Sequence, residues 1–199
     1  MLSFIGNQFR KPRGFWGRII FFSMKKNNRF AYNKIVQELE IKQNDRVLEI
    51  GFGPGIGINM ICKNFNCSVT GIDFSELMFR EAQLRNKRHI ENHKLVLNFG
   101  DYLDFKFPVE SFDKIFFINV IYFWNNIEKP FIKIKDELKQ NGMLYIFMAH
   151  PTDLKKLKFT KDDIFNKYTI DYVCDKLKNL GFENIDYKFD NGYYIKCNK

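Results

Sequence analysis

The chain has 199 residues, enough to bury the core of one domain, and its 45% hydrophobic and 28% charged residues are typical of a folded protein. With only 12 glycines and 5 prolines, collagen-like and linker-like classes are excluded. The net charge of +9 is unevenly placed, because the first 37 residues hold eight bases and no acid, which leaves +1 for the other 162. Those bases are Arg10, Lys11, Arg13, Arg18, Lys25, Lys26, Arg29 and Lys34. We therefore predict a basic, aromatic arm at 1–28, followed by a nearly neutral domain at 29–199.

Strands and helices alternate along the first three quarters of the chain. Helices are predicted at 29–40, 58–64, 75–87 and 127–139, and strands at 46–50, 68–72, 95–98, 112–120 and 143–148. This alternation predicts βαβ units and a parallel sheet.

The last quarter of the chain departs from this alternation. A helix is predicted at 168–179, with Gly181 as its C-terminal cap. Two strands follow at 182–189 and 193–197, joined by Asp-Asn-Gly, a strong hairpin signal. The polar segment 151–167 is predicted to be a loop or a small insertion. The fold class is therefore α/β, with a mainly parallel sheet that ends in an antiparallel hairpin.

The four cysteines give no sign of a disulfide framework or of a metal site. They are Cys62, Cys67, Cys174 and Cys197, without a C-x-x-C pair or a matching histidine cluster. Cysteine usage of this kind favours a reducing, cytoplasmic setting. The longest apolar stretch, 115–124, is much shorter than the roughly 20 residues that span a bilayer. Neither a metal nor a membrane span nor a secretory signal is predicted.

The segment 47–57, V-L-E-I-G-F-G-P-G-I-G, lies between a predicted strand and a predicted helix. Glycines in such a turn let the backbone bend tightly and let a ligand approach the main chain. The dinucleotide fingerprint G-x-G-x-x-G is absent, because positions 56 and 58 are both isoleucine. Asp73 follows the next strand, 22 residues after Gly51, where an acid can accept hydrogen bonds from ribose hydroxyls.

The pattern E-x-G-x-G-x-G resembles motif I of class I S-adenosylmethionine-dependent methyltransferases. Four later segments resemble that family in the same order: 98–101, 111–115, 119–124 and 138–144, the last with Gln-Asn in place of Pro-Gly. The resemblance spans about 45–148 and is nearest to small-molecule methyltransferases of the ubiquinone/menaquinone-biosynthesis type. It implies a Rossmann-like, doubly wound sheet of seven strands with the last strand antiparallel.

The resemblance also implies S-adenosylmethionine as the cofactor and a set of residues around it. Asp73 would hold the ribose, Asp101 the adenine amino group, and Tyr102 would lie beside the adenine. Glu49 would orient the glycine turn or approach the methionine ammonium group. The full predicted set is Glu49, Gly51, Gly53, Gly55, Asp73, Phe74, Met78, Asp101, Tyr102 and Asn119.

The acceptor side is less clearly marked. Asn119 and Tyr122 follow the fourth strand, where the family places active-site residues, and we expect them to contact the transferred methyl group or the acceptor. His150 follows the fifth strand and is a candidate catalytic base, since ligands bind at this edge of open α/β sheets. Methyl transfer depends largely on positioning, so a catalytic group need not be visible in the sequence.

The basic arm admits four interpretations. By the family resemblance, Phe15 and Trp16 would line or cover the acceptor pocket. The mixture of bases and aromatic residues also suits an anionic membrane surface and, less well, nucleic acid. The fourth interpretation is a solvated arm with a few aromatic residues packed on the domain.

Methyl transfer to a small organic acceptor, lipidic or aromatic, is the predicted function. Methylation of RNA or protein and cofactor binding without turnover are the alternatives. The acceptor, the accepting atom and the oligomeric state stay open.

Overall fold

The computed structural model describes residues 30–156, 160 and 165–199, and a seven-stranded sheet forms their centre. The strands are β1 (Arg46–Ile50), β2 (Ser68–Asp73), β3 (Leu95–Phe99), β4 (Phe112–Ile118), β5 (Leu138–Met148), β6 (Glu183–Phe189) and β7 (Tyr193–Asn198). The helices are α1 (30–38), α2 (Ile56–Asn64), α3 (Glu76–Glu91), α4 (Glu128–Glu137), α5 (Pro151–Lys156) and α6 (Ile170–Asn179), with a 3-10 helix at Ile121–Phe123. The predicted basic arm, with Phe15 and Trp16, lies outside the described residues. Each helix that the structure describes is too short or too polar to span a bilayer.

The strand order is β3-β2-β1-β4-β5-β7-β6, which confirms the predicted α/β class. The strands from β3 to β5 are parallel, whereas β7 is antiparallel to β5 and β6 is antiparallel to β7. The predicted hairpin joins the last two strands, and the amide of Asp190 donates to the carbonyl of Gly192 at 2.8 Å. The chain runs from β1 outward to β3 and then returns to β4. The carboxyl ends of β1 and β4 therefore flank the switch point at which open α/β sheets bind ligands.

The central strands are buried on both faces, as parallel strands covered by helices are expected to be. Successive side chains of a strand point to opposite faces. Leu48 and Ile50 of β1 accordingly join Phe117 of β4 in one core cluster. Val47 joins Phe116 in the other cluster, which also includes residues of α1 and α2. These two cores hold β1 and β4 rigidly beneath the loops that follow them.

Several predicted boundaries were wrong: the strand predicted at 143–148 begins at Leu138, and the helix predicted at 75–87 continues to Glu91. Two further differences have a local cause. The strand predicted at 112–120 ends earlier because Asn119 adopts a left-handed conformation, with a φ of +58°. The helix predicted at 127–139 also ends earlier, because Leu138 is extended and pairs with Phe112. The segment predicted as a loop or an insertion after β5 begins with helix α5.

Helix α1 is held against β5 and the final hairpin by polar contacts. Lys34 forms an ion pair with Asp190 at 2.9 Å, and its ammonium group lies 4.4 Å from the ring centre of Tyr194. Glu38, one turn later, accepts a hydrogen bond from the hydroxyl of Tyr145. Asp190 lies in the hairpin turn beside the carboxyl end of β5, whereas Tyr145 lies further back in β5. The described part of α1 therefore runs antiparallel to β5, with Lys34 nearer than Glu38 to the carboxyl edge of the sheet.

Gly71 of β2 lies under the glycine-rich turn with no room for a side chain. An added Cβ would come within 2.7 Å of Phe52 Cδ1 and 2.6 Å of Ile58 Cδ1, and both of these side chains are fully buried. We predict that Gly71→Ala lowers the free energy of unfolding by about 1–3 kcal/mol, since the filled core has to move. Urea denaturation measures this change. The control is Ser68→Ala, at the exposed start of the same strand, which should change stability by less than about 0.5 kcal/mol. An equally stable Gly71→Ala variant would contradict the described packing.

Candidate functional site

A turn with alternating glycines connects β1 to α2. Gly51, Gly53 and Gly55 have φ angles of +67°, +52° and +70°, in the left-handed region that favours glycine. The amide of Gly51 donates to the carbonyl of Ile72 at 2.8 Å, which fastens the turn to β2. An added Cβ would meet a neighbouring side chain at 2.5 Å from Gly51 and at 2.6 Å from Gly55, whereas no described atom lies within 4 Å at Gly53. Gly53 is therefore the position of the turn at which a side chain would meet the least obstruction, although the residue itself is buried.

Helix α2 begins directly from this turn. Its N-cap residue is Gly55, and no side chain caps the helix through a hydrogen bond. Its first turn contains no acidic residue. The first amide groups of α2 therefore present their partial positive charge at the carboxyl edge of the sheet.

Asp73, at the end of β2, is joined to the turn by its carboxylate. One oxygen accepts the amide of Gly53 at 2.8 Å, and the other accepts the amide of Ser75 at 2.8 Å. Burial raises the pKa of Asp73 to about 6, although both amide hydrogen bonds act in the opposite direction. Each carboxylate oxygen can accept more than one hydrogen bond, so Asp73 can also accept hydroxyl groups of a ligand.

Glu49, near the end of β1, is a buried carboxylate without a hydrogen-bond partner among the described residues. Burial raises its pKa well above the usual range, the nearby backbone amide of Ile58 opposes this shift, and the charge of Asp73 adds to it. Glu49 lies against α2, because a Cβ added at Gly57 would come within 2.9 Å of its Oε2. Buried polar atoms in proteins nearly always have partners, so this carboxylate suits a cationic or hydrogen-bond-donating group.

Asn119 and Tyr122 connect the ends of β4 and β5. The hydroxyl of Tyr122 donates to Oδ1 of Asn119 at 2.9 Å and accepts the amide of Ala149. The amide of Ala149 also lies 3.2 Å from Oδ1 of Asn119. Tyr122 is buried, and burial raises its pKa far above the usual range. The structure thus brings this predicted pair together, in a network that joins two strand ends at the switch point.

The two residues predicted to contact adenine lie in different environments. Asp101 is exposed, and its Oδ1 accepts the amide of Leu103 at 2.9 Å, which closes a turn after β3. Tyr102 is buried, with its hydroxyl 2.7 Å from Oε2 of Glu137 and its ring beside Trp124. Burial, followed by the charge of Glu137, raises the pKa of Tyr102 well above the usual range.

The start of α3 carries the remaining two predicted cofactor residues. Ser75 caps this helix, because its hydroxyl accepts the amide of Met78 at 3.4 Å. The side chain of Met78 is buried, and Phe74 is half-buried between Asp73 and the cap.

His150 lies on the hairpin side of the site. Its Nδ1 is 2.6 Å from the hydroxyl of Thr152. Its ring centre is 5.4 Å from that of Tyr193 and 5.6 Å from that of Phe189. The residues that the structure describes contain no group of three side chains suited to a metal ion.

Three further residues at the turn were not predicted. Arg85 and Asn86 of α3 donate to the backbone of the turn, at Pro54 and Gly55. The ring of Tyr32 lies over Gly57, 2.8 Å from an added Cβ, and burial and the charge of Glu49 raise its pKa. The one signal for Asn86 in the sequence is an asparagine inside a predicted helix, where it is unfavourable.

Comparisons with known proteins agree with this arrangement. Residues 48–146, about half of the chain, match the methyltransferase domain family. Sterol 24-C-methyltransferase of Clavispora lusitaniae is 26% identical over 196 residues, which is 93% of this chain and 51% of that protein. Phosphoethanolamine N-methyltransferase of Plasmodium falciparum is 29% identical over 175 residues, 82% of this chain and 63% of that protein. The chain thus spans between half and two thirds of these two relatives.

A relative of similar length and two solved structures were also found. The uncharacterized methyltransferase YdaC of Bacillus subtilis is 28% identical over 171 residues, 85% of this chain and 89% of that protein. A putative S-adenosylmethionine-dependent methyltransferase from Methanococcus maripaludis has a TM-score of 0.71 at 18% identity, with 89% of both chains covered. A putative methyltransferase in complex with the Haloferax volcanii activator Trm112 has a TM-score of 0.78 at 13% identity, covering 92% of this chain and 93% of that chain. At these identities the two structures show the fold alone.

The hydrogen-bond network at Tyr122 leads to a stability prediction. Tyr122→Phe removes the hydroxyl between Asn119 and Ala149 inside the core. We expect the free energy of unfolding to fall by about 1–2 kcal/mol, because buried polar groups lose a partner. Chemical denaturation measures the loss. The control is Tyr187→Phe on the exposed strand β6, which should change stability by less than about 0.5 kcal/mol. Equal stability of the two variants would show that the Tyr122 hydroxyl does not hold β4 and β5 together.

Proposed function

Since the chain belongs to the class I S-adenosylmethionine-dependent methyltransferase family, we propose that it binds S-adenosylmethionine at the glycine turn and methylates a small organic acceptor. The observation that carries this proposal is the carboxylate of Asp73, held by two backbone amides beside Gly53, where an added Cβ would meet no described atom within 4 Å. A fold alone does not specify a ligand, whereas a buried acid at the end of the second strand suits a ribose.

The residues present fit the cofactor at three points. Asp73 would accept the ribose hydroxyls, and the glycine turn would let the cofactor lie against the main chain at Gly53. Glu49 would face the ammonium group of the methionine part, which would neutralise a buried carboxylate that has no other described partner. The predicted adenine contact of Asp101 remains part of the proposal, supported by its place directly after β3.

When bound, S-adenosylmethionine supplies a methyl group on a sulfonium sulfur, which leaves as a neutral thioether while a lone pair of the acceptor forms the new bond to carbon. The protein's own task is then to align the acceptor with that methyl group and to exclude water. Positioning of this kind supplies much of the rate in reactions that need little covalent assistance. The main catalytic requirement is therefore a rigid ligand edge, by which we mean the carboxyl edge of the sheet together with the glycine turn.

Asn119 and Tyr122 would form the wall of the site next to the acceptor. Their network joins the ends of β4 and β5, so we assign Tyr122 to positioning and Asn119 to the contact with the methyl group or the acceptor. His150 remains the proposed base for an acceptor that must lose a proton. Its place after β5, beside the exposed ring of Phe189, supports a role at the outer side of the acceptor.

Small organic acceptors are supported by two relatives, a sterol and a phosphoethanolamine methyltransferase. The basic arm at 1–28 is proposed to cover the acceptor or to contact an anionic membrane. We propose a cytoplasmic setting, supported by four free cysteines, three of them buried.

Cofactor binding gives the direct test. We expect S-adenosylmethionine and S-adenosylhomocysteine to bind with micromolar affinity in calorimetric titration. Asp73→Ala should weaken both by tenfold or more, about 1.4 kcal/mol, because the ribose loses a charged acceptor. The control is Asp175→Ala, an exposed acid on α6 that should leave the affinity unchanged. Failure of the wild-type protein to bind either compound would overturn the proposal.

The same titration has an expected pH dependence. The pKa of Asp73 is raised to about 6 in the free protein. Protonation below this pH removes the charge that accepts the ribose hydroxyls, so affinity should fall as the pH is lowered from 7 through about 6. The Asp73→Ala variant should lack this part of the pH dependence. An identical pH profile in wild type and variant would exclude Asp73 as the titrating group.

A further inference from the structure

Helix α3 holds the glycine turn from behind through two consecutive residues. Nε of Arg85 donates to the carbonyl oxygen of Pro54 at 2.8 Å. Nδ2 of Asn86 donates to the carbonyl oxygen of Gly55 at 3.1 Å. These carbonyls belong to the two peptide groups that lead from the turn into α2. The turn is thus held by α3 at the end that leads into α2.

The side-chain amide of Asn86 is fully buried and fully engaged. Its second N–H donates to the carbonyl of Ala82 at 2.9 Å, and its Oδ1 accepts from Nδ2 of Asn59 at 3.0 Å. The reverse orientation of the amide would place Oδ1 against the carbonyls of Gly55 and Ala82. Only one orientation therefore satisfies the site, and it joins α2, α3 and the turn.

Helix α3 is distorted at this residue. Asn86 has a φ of −108° and a ψ of 15°, outside the helical region although the helix continues to Glu91. Asparagine is a poor helix former, and a side chain that bonds the carbonyl four residues back bends a helix. Helix regularity is lost here at the point of contact with the turn. The presence of asparagine at this position is therefore better explained by its hydrogen bond to the turn than by the stability of the helix.

The planarity of the peptide bond carries the effect from these carbonyls to the amides of the turn. The carbonyl of Pro54 is coplanar with the amide of Gly55, and the carbonyl of Gly55 is coplanar with the amide of Ile56. Fixing each carbonyl thus fixes the direction of the amide on its other side. The amide of Gly55 donates to the carbonyl of Phe52 at 3.0 Å, a bond that closes the turn around Gly53. Glycine-rich backbone has many accessible conformations, so these restraints select one of them.

We propose that Arg85 and Asn86 are positioning residues for the cofactor site. They hold the glycine turn in the conformation that admits the cofactor, and they act through the backbone of Pro54 and Gly55. The inference rests on the proposed function, because it concerns affinity for S-adenosylmethionine. Arg85 and Asn86 would thus help to determine this affinity through the backbone of the turn, without contacting the cofactor.

Arg85 offers the sharper test because its side chain is on the exposed side of the helix, where substitution leaves the core intact. Arg85→Met removes the hydrogen bond to Pro54 and keeps a good helix former. We expect the Kd for S-adenosylhomocysteine to rise about three- to tenfold in calorimetric titration. The matched control is Arg88→Met, one turn along the same helix, where the same charge is removed without a described contact to the turn. Its Kd should equal that of the wild-type protein.

Asn86→Asp is the second variant, of nearly the same size as the native residue. It places an acceptor against the carbonyls of Gly55 and Ala82, so we expect a rise in Kd of more than about tenfold. Thermal unfolding without ligand shows whether this variant is folded. If it is not, Arg85→Met decides the question alone.

A second readout, independent of the ligand, is the amide resonance of Gly55 in a nitrogen-15 correlation spectrum. The Pro54 carbonyl and the Gly55 amide share one peptide group, so Arg85→Met should shift or broaden this signal in the free protein. Arg88→Met should leave it in place. A merely structural role of Arg85 on α3 would lower the melting temperature without a selective change at Gly55.

The outcomes separate the two claims. Weaker binding and a changed Gly55 signal in Arg85→Met, with both unchanged in Arg88→Met, support the positioning role. Wild-type affinity in folded Arg85→Met and Asn86→Asp proteins overturns the positioning role and leaves the proposed function standing. Absence of binding by the wild-type protein overturns the proposed function, and the positioning role with it.

Discussion

The end of β2 is tied to two other elements by a single carboxylate, because the oxygens of Asp73 accept the amides of Gly53 and Ser75, both at 2.8 Å. One bond fixes the turn that follows β1, and the other fixes the start of α3. Helix α3 in turn reaches back to the turn through Arg85 and Asn86. The glycine turn is thus connected both to the start of α3 and to its middle. The geometry of the ligand edge depends on this carboxylate more than on any other group.

This arrangement places two acids where burial opposes their charge. Glu49 and Asp73 both have raised pKa values, with desolvation as the main cause, and the charge of Asp73 acts further on Glu49. Such groups lower the stability of the free protein at neutral pH, since unfolding would return them to water. Carboxylates with shifted pKa values are concentrated at functional sites. A ligand with hydroxyl groups and a positive charge would recover part of that free energy on binding.

Sequence reasoning reached those features that depend on local pattern. The parallel sheet follows from alternating hydrophobic segments, the glycine turn from its spacing, and the closing hairpin from Asp-Asn-Gly, whereas the sheet of seven strands was implied by the family resemblance. Sequence reasoning missed the contacts that depend on the direction in which a packed helix points its side chains. Nothing in the residues around Asn86 indicates that its side chain reaches Gly55, 31 positions away. Tyr102 is a similar case: its position after β3 was clear, but the direction of its ring toward Glu137 is set by packing. The early end of β4 depends on the backbone conformation of Asn119, which a hydrophobic run does not reveal.

The attachment of α1 has a consequence for the order in which the molecule assembles. The helix that covers Glu49 and the first turn of α2 is held by Asp190 and Tyr194, about 160 positions later in the chain. Contacts between such distant segments form late, because a long loop has to close before they can contribute. During synthesis the glycine turn, β2 and α3 therefore emerge well before the residues that lock α1 over them. A chain that stops before β7 would therefore carry every residue of the turn and still lack the two contacts that Lys34 of α1 makes with the final hairpin.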